Sequence, residues 1–332
     1  VTQAPTDPAA GVTRGSRVRT LFFGSGSFAV PILDAVAEAP ELELVGVVSA
    51  PDRPAGRRGE LTPVPATRRA RELGVWLFQP SRLRAPDAVA EVVALAPELG
   101  VLADYGQIVP AAVLDVPRHG ILNLHPSILP RHRGASPIQA TIASGDREAG
   151  VTLMRMDEGL DTGPIVAVER WSLSGGETAP ELEAEAARRA ADLLRRSLRG
   201  WLDGSLATRP QPEDGVTLTR PLHREDGRLD ILRPAVELAR LVRANQPWPG
   251  SFVDTPLGRL IVHAAEVAPG DQEDQPGRVA ADDDGLALTT PDGRLRLLRV
   301  QLAGRNATDA ASLRRGAPGL VGATVGRGEA LR

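Results

Sequence analysis

Val18-Arg19-Thr20-Leu21-Phe22-Phe23-Gly24-Ser25-Gly26-Ser27-Phe28-Ala29 is the stretch on which the fold turns. A short apolar run of strand length stops at a pair of glycines, and residues 30–39 then repeat their apolar positions at helical spacing. The same alternation continues. Residues 42–49 read as a strand, 65–73 as a helix, 75–78 as a strand and 87–95 as a helix. Residues 99–103 and 120–124 read as strands, and 136–143 as the helix after a loop. Strands alternating with helices at this spacing predict a doubly wound, mainly parallel α/β sheet of Rossmann-like type, covered on both faces. Two further strands at 151–156 and 165–173, and a long helix of Ala, Glu, Leu and Arg at 179–202, complete that unit.

Outward from this unit the composition changes. Residues 1–17 are polar, carry Pro and Gly and show no periodicity, which predicts a disordered extension. The α/β unit is expected over 18–205, and 206–220, with Pro210, Pro212 and Gly215, reads as a linker. Over 221–332 one helix at 234–245 is followed by short alternating runs, among them 260–267 and 295–302, separated by Asp and Gly turns. That pattern predicts a smaller β-barrel domain.

The chain of 332 residues is long enough for two cores, and with no Cys it cannot build a disulfide framework, thiolate chemistry or a Cys-ligated metal site. No apolar run approaches the roughly 18 residues that span a bilayer, and no signal-peptide pattern opens the sequence, so a soluble cytoplasmic protein is expected. A net charge of −3 gives no global basic field, and every basic residue is Arg, none Lys. A nucleic-acid partner would have to be held by local placement of arginines.

Gly24-Ser25-Gly26-Ser27-Phe28-Ala29 satisfies the dinucleotide-binding pattern literally, which makes a nicotinamide-dependent oxidoreductase a rival reading. That pattern also wants an acidic residue at the end of the second strand. Here the chain reads Val47-Val48-Ser49-Ala50, and Asp52 arrives late. A tight strand-to-helix turn explains the glycines equally well.

The chemistry is concentrated further along. Gly120-Ile121-Leu122-Asn123-Leu124-His125-Pro126-Ser127 sets Asn123 and His125 two apart at the end of a strand, so both leave one face. Downstream, Met156-Asp157-Glu158-Gly159-Leu160-Asp161-Thr162-Gly163 places Asp161 between glycines, while Asp157 and Glu158 read as ordinary turn residues. An amide, an imidazole and a carboxylate converging on one site supply an oxyanion donor, a proton-handling group and a carboxylate to orient it. None is a strong nucleophile, so direct attack by a substrate amine is favoured over a covalent enzyme intermediate.

Asn123-Leu124-His125, Ser127-Ile128-Leu129-Pro130-Arg131 and Leu160-Asp161-Thr162-Gly163, in that order, closely resemble the catalytic core of the 10-formyltetrahydrofolate-dependent formyltransferases. The resemblance implies that Asn123 and His125 polarise the formyl group, and that Asp161 tunes His125 and helps take the proton from the attacking amine. It also implies that Ser127, Ile128, Leu129 and Pro130, with Tyr105 and Gly106, lie against the folate, and that no metal is required.

Members of this superfamily act on several acceptors, and residues outside the core separate them. Pro51-Asp52-Arg53-Pro54-Ala55-Gly56-Arg57 resembles the acceptor-stem loop of the methionyl-tRNA formyltransferases, which implies tRNA contacts at Arg53 and Arg57. Tyr105-Gly106 with Ile108-Val109-Pro110, and Arg131-His132-Arg133-Gly134-Ala135-Ser136-Pro137-Ile138-Gln139, resemble the same branch. By this resemblance the partners are initiator methionyl-tRNA and the folate donor, the C-terminal barrel is of the oligonucleotide-binding type and contacts tRNA, and the chain acts as a monomer. An amino-sugar formyltransferase using the same donor is the alternative. Arg243-Ala244-Asn245-Gln246-Pro247-Trp248-Pro249-Gly250 extends the resemblance into the second domain without discriminating between acceptors. The chain departs from the branch in having Gly59-Glu60 where Lys is common.

Overall fold

The computed structural model describes residues 17–55, 60–272 and 274–326; the extension expected at 1–17 lies outside them except for Arg17. The first unit runs β1 (Val18–Gly24), α1 (Ala29–Glu38), β2 (Leu42–Val48), β3 (Arg53–Ala55), β4 (Glu60–Thr62), α2 (Pro65–Leu73) and β5 (Leu77–Phe78). It continues through α3 (Pro86–Ala94), β6 (Leu99–Ala103), α4 (Ala111–Leu114), β7 (Ile121–His125), β8 (Arg133–Gly134) and α5 (Pro137–Ser144). Strands β9 (Glu148–Arg155) and β10 (Ile165–Ser172) and helix α6 (Ala179–Leu202) end it.

Seven strands form one sheet in the order β10-β9-β7-β6-β1-β2-β5. The pairs from β5 to β7 are parallel, whereas β9 is antiparallel to both β7 and β10. The apolar run of β1 is explained by burial on both faces. Phe22 enters the core shared with α1, α2 and α6, while Leu21 and Phe23 enter the core beneath α3 and α4. Helix α6 starts with Pro180 in its first turn, and the Glu181 carboxylate accepts the Thr178 N–H at 2.9 Å, so the termination of β10 and the start of the helix are both written locally.

Residues 206–220, read as the linker, lie in part against this unit. Arg209 exchanges both backbone hydrogen bonds with Ile165, and β11 (Leu218–Thr219) pairs in parallel with β8. Short side chains and turn residues hid this, because an edge pairing of two residues leaves no periodic signal.

Beyond it, α7 (Ala235–Ala244) precedes β12 (Ser251–Thr255), β13 (Gly258–Ala268), β14 (Val279–Asp282), β15 (Gly285–Thr290), β16 (Gly293–Leu302), β17 (Thr308–Asp309) and α8 (Ala310–Gly316). These strands form an antiparallel sheet in the order β12-β13-β16-β15-β14, with β17 on β16. Its two edges are bridged by one segment of chain. Ala323 and Val325 bond Val279 and Gly277 beside β14, and Gly326 N donates to Asp254 O of β12 at 2.9 Å. The edges that would otherwise be open are thereby covered, which gives the sheet the closed form expected of a barrel. Helix α7 packs on α5 as well as on β13, so it joins the two units. Among the described residues no helix is long and apolar enough to cross a membrane.

Candidate active site

Side chains alternate along β7. Leu122 and Leu124 enter the core with α1 and α6, so Asn123 and His125 face the other side with Ile121. Past Ile121 that side of β7 meets the loops that carry His132, Gly134 and Asp161, and both polar side chains are 5 % exposed. Antiparallel β9 delivers the acidic loop: Met156 N donates to Ile121 O at 2.8 Å, and the chain then turns back so that Asp161 reaches Asn123.

The three side chains expected to act together are brought together. Asn123 Nδ2 donates to Asp161 Oδ1 at 3.3 Å, a long bond, and Gly134 N donates to Asp161 Oδ2 at 2.7 Å. His125 Nδ1 lies 3.7 Å from Asp161 Oδ2, and His125 Nε2 lies 2.9 Å from the His132 carbonyl oxygen. A carbonyl only accepts, so Nε2 must carry its proton, and Nδ1 is the ring nitrogen left to exchange one. It is the atom that faces Asp161.

The loops holding this geometry are tightly specified. Asp161 has φ 51 and His132 φ 57, sparsely populated values for residues with a side chain. Gly134 has φ 101, and a Cβ there would run into the Thr219 carbonyl, so only glycine lets its N–H meet Asp161. Asp157 Oδ1 accepts Gly159 N at 3.0 Å and Thr162 Oγ1 at 2.7 Å, the turn role expected of it. Sequence reasoning left one network unassigned. His132 Nε2 lies 2.8 Å from Asp146 Oδ2, His132 N donates to Thr217 Oγ1 at 2.7 Å, and His132 thus presents its carbonyl to His125.

The residues singled out for folate fall into two groups. Ser127, Leu129 and Pro130 are buried, and their backbone is used within the protein: Ser127 O accepts Thr152 Oγ1, Leu129 N donates to Thr152 Oγ1, and Pro130 O accepts Thr217 N. Ile128 alone of the four is half-exposed. Tyr105 is buried edge-on against Phe23, 5.8 Å between centroids, and its hydroxyl has no partner among the described residues. Burial also raises the ionisation of that hydroxyl above the ordinary phenol range. Gly106, by contrast, is exposed, a Cβ there would meet nothing within 4 Å, and its backbone makes no hydrogen bond among the described residues. Arg53 opens β3, which pairs with β4 as a hairpin; Arg57 lies outside the described residues.

The glycine loop does not cradle a phosphate. Ser25 N and Gly26 N both donate to Asp104 O, at 2.9 and 3.4 Å, and Ser25 Oγ donates to Tyr105 O at 3.0 Å. These two loop amides are thus spent on the residue that follows β6. Asp52 is likewise occupied by Gln79 Nε2 at 2.8 Å and Arg71 at 3.1 Å, so no carboxylate is presented to a ribose.

Asp104 ends β6 with φ 46. Asp104 is exposed at the surface, yet the protein around its carboxyl takes away part of its solvent, and this, reinforced by Glu183, pushes the carboxyl up to about 7. A folded value above the unfolded one, about 3.9, means the group favours the fold most below that pH and loses this contribution as pH rises through 7. Between pH 5 and 8 the melting temperature of Asp104→Asn should therefore fall less than that of the parent. Parallel curves from calorimetry would show that Asp104 keeps its charge without cost.

Two family models match the chain: formyl transferase over residues 16–198, and formyl transferase C-terminal domain over 221–318. The methionyl-tRNA formyltransferase of Halorhodospira halophila is 45% identical over 305 residues, covering 91% of this chain and 98% of that protein. That of Myxococcus xanthus is 42% identical, covering 92% and 97%, and that of Thermus thermophilus 43%, covering 91% and 98%. Among solved structures, the sugar 3N-formyltransferase WlaRD matches with a TM-score of 0.63 at 15% identity over 88% of this chain and all of that one. HypX of Aquifex aeolicus in complex with tetrahydrofolic acid matches with a TM-score of 0.61 at 19% identity, over 90% of this chain and 47% of that one. At such identities these two likenesses concern the fold alone.

Proposed function

The chain belongs to the methionyl-tRNA formyltransferase family, and from that membership we propose how its residues move the formyl group of 10-formyltetrahydrofolate onto the amino group of methionyl initiator tRNA. The observation that carries the mechanism is the cluster of Asn123, His125 and Asp161, three polar groups on a loop-roofed face with no strong nucleophile among them. The acceptor amine therefore attacks the formyl carbon directly. Asn123 spends at most one amide N–H, weakly, on Asp161, and its other N–H serves the oxyanion that develops on the formyl oxygen. His125 Nδ1 and Asp161 Oδ2 hold the proton lost by the amine between them, and His125 returns it to the folate nitrogen as the bond from that nitrogen to the formyl carbon breaks.

For the folate, the exposed backbone at Gly106 is the part of the expected set with unused hydrogen-bonding groups, suited to a flat ring edge bearing donors and acceptors. Tyr105 supports that loop from below, and Ile128 offers an apolar contact. Ser127, Leu129 and Pro130 shape the turn that carries Ile128 and His132. Arg53 and Arg57 are assigned to the tRNA acceptor end, the second domain to the body of the tRNA, and the protein to the cytoplasm as a monomer.

The direct test incubates the protein with 10-formyltetrahydrofolate and charged initiator tRNA and looks for acid-stable formylmethionine, with a nucleotide-linked amino sugar as the competing acceptor. Formylation of the sugar in preference to the tRNA would overturn the acceptor assignment. Arg57→Ala is expected to lower kcat/KM for the tRNA by about 10- to 100-fold, the worth of one or two charge-assisted hydrogen bonds to phosphate, while the KM for folate stays within about twofold. An equal loss toward both substrates would make the loop structural.

A further inference from the structure

Gln211 lies in the segment that joins the two domains, yet its side chain is half-buried inside the roof of the candidate site. Its Nε2 donates to Asp161 O and to Gly163 O, both at 2.8 Å. Its Oε1 accepts from Arg133 Nε at 3.0 Å and Arg133 Nη2 at 2.7 Å. The two N–H donors and both lone pairs of the amide are thus all used. The orientation is forced as well, because a flipped amide would set its oxygen against two carbonyls and its NH2 against a guanidinium.

We infer that Gln211 is a positioning residue for formyl transfer: it ties the Asp161 loop to the Arg133–Gly134 strand, and so fixes the distance between the Asp161 carboxylate and His125. This rests on the assignment of Asp161 and His125 above. Among the described residues the loop's other bonds run within it or through the Asp161 carboxylate itself. The loop from Asp157 to Gly163 is exposed over much of its length, and Asp161 is held in a left-handed conformation that it would leave if released. Gly134 N reaches Asp161 Oδ2 only while its strand is docked, and that strand is docked by Thr217, Thr219 and Gln211, all from the joining segment. The backbone pairing of Arg209 with Ile165 sets Gln211 two residues away at the required height. The joining segment is in this way part of the site's frame, and the position of the second domain's chain is coupled to the geometry of Asp161.

Two substitutions separate the arms of the clamp. Gln211→Ala removes both. Gln211→Glu keeps the partner of Arg133 but sets an ionised oxygen, which can only accept, against the carbonyls of Asp161 and Gly163. Both variants are expected to lose roughly 10- to 100-fold in kcat, the cost of a displacement on the order of 1 Å at a reacting group. The KM for folate and for tRNA should stay within about threefold. Amide exchange in 157–163 should quicken in both variants while that of β1, β6 and β7 is unchanged. The exchange measurement needs no turnover, so it judges the clamp even if the parent enzyme formylates another acceptor. A kcat within twofold of the parent in either variant, or unchanged exchange in the loop, would overturn the inference. So would a variant Gln211→Glu as active as the parent beside an impaired Gln211→Ala, since the Arg133 arm alone would then account for the effect.

Discussion

Replacing Asn123 with Ala is expected to lower kcat by about 100- to 1000-fold, the range found when one preorganised oxyanion donor is removed. The side chain is 5 % exposed in the middle of β7 and makes a long bond, 3.3 Å, to Asp161. Its loss costs the fold about 1 kcal/mol, because Gly134 N still satisfies the carboxylate. Asn123→Asp should be worse than Ala in spite of its matching shape: it exchanges donors for acceptors and places a second carboxylate against Asp161. Saturating single-turnover rates with matched melting curves decide the matter. If the Ala variant keeps a rate within threefold of the parent, the oxyanion is served by another group and Asn123 is only a packing residue.

Fold and chemistry were legible to different depths. Strands buried on both faces announce themselves by unbroken apolar runs, which is why β1, β6 and β7 could be read from the sequence to within a residue or so. Helices α2 and α6 were equally plain, since Pro starts each and Gly74 or the end of the periodicity stops it. The direction of β9 was not legible. Antiparallel and parallel strands have the same residue pattern when both faces are buried, and here a loop and a short helix between β7 and β9 permitted either. That direction decides how Asp161 arrives: the loop leaves beside Ile121 and folds back, and the path to Asn123 is set by register, which no local pattern encodes.

The site was legible where chemistry requires unusual residues on a regular element, as with Asn123 and His125 on a core strand. It was illegible where ordinary residues act through backbone contacts. Gln211 sits among Pro, Glu and Asp, and its sequence neighbours read as linker. His132 orients His125 through a carbonyl, which carries no side-chain signature. The glycine loop was ambiguous for a related reason. Its sequence fits a phosphate cradle, and only the bonds from Ser25 N and Gly26 N to Asp104 O show that the cradle is filled by the protein itself.

The largest loss is expected from Asp161→Asn, on the order of 1000- to 10,000-fold in kcat, although the variant is isosteric. The carboxylate oxygens together accept from Asn123 Nδ2 and Gly134 N, and one of them faces His125 Nδ1. An amide has one acceptor oxygen, so its NH2 must confront either the Gly134 N–H or the Asn123 NH2, and the left-handed turn at 161 gives the side chain little freedom to escape. The second consequence concerns the proton. With Nε2 committed to the His132 carbonyl, Nδ1 is the nitrogen through which His125 can act, and a neutral amide beside it no longer stabilises the imidazolium formed when the amine is deprotonated. Both effects fall on the transition state, so kcat and kcat/KM should drop together while substrate binding, measured directly with the folate, changes by less than about threefold. A variant that lost affinity in proportion to rate would instead place Asp161 in substrate binding, and one that retained its rate would leave His125 without need of a charged partner.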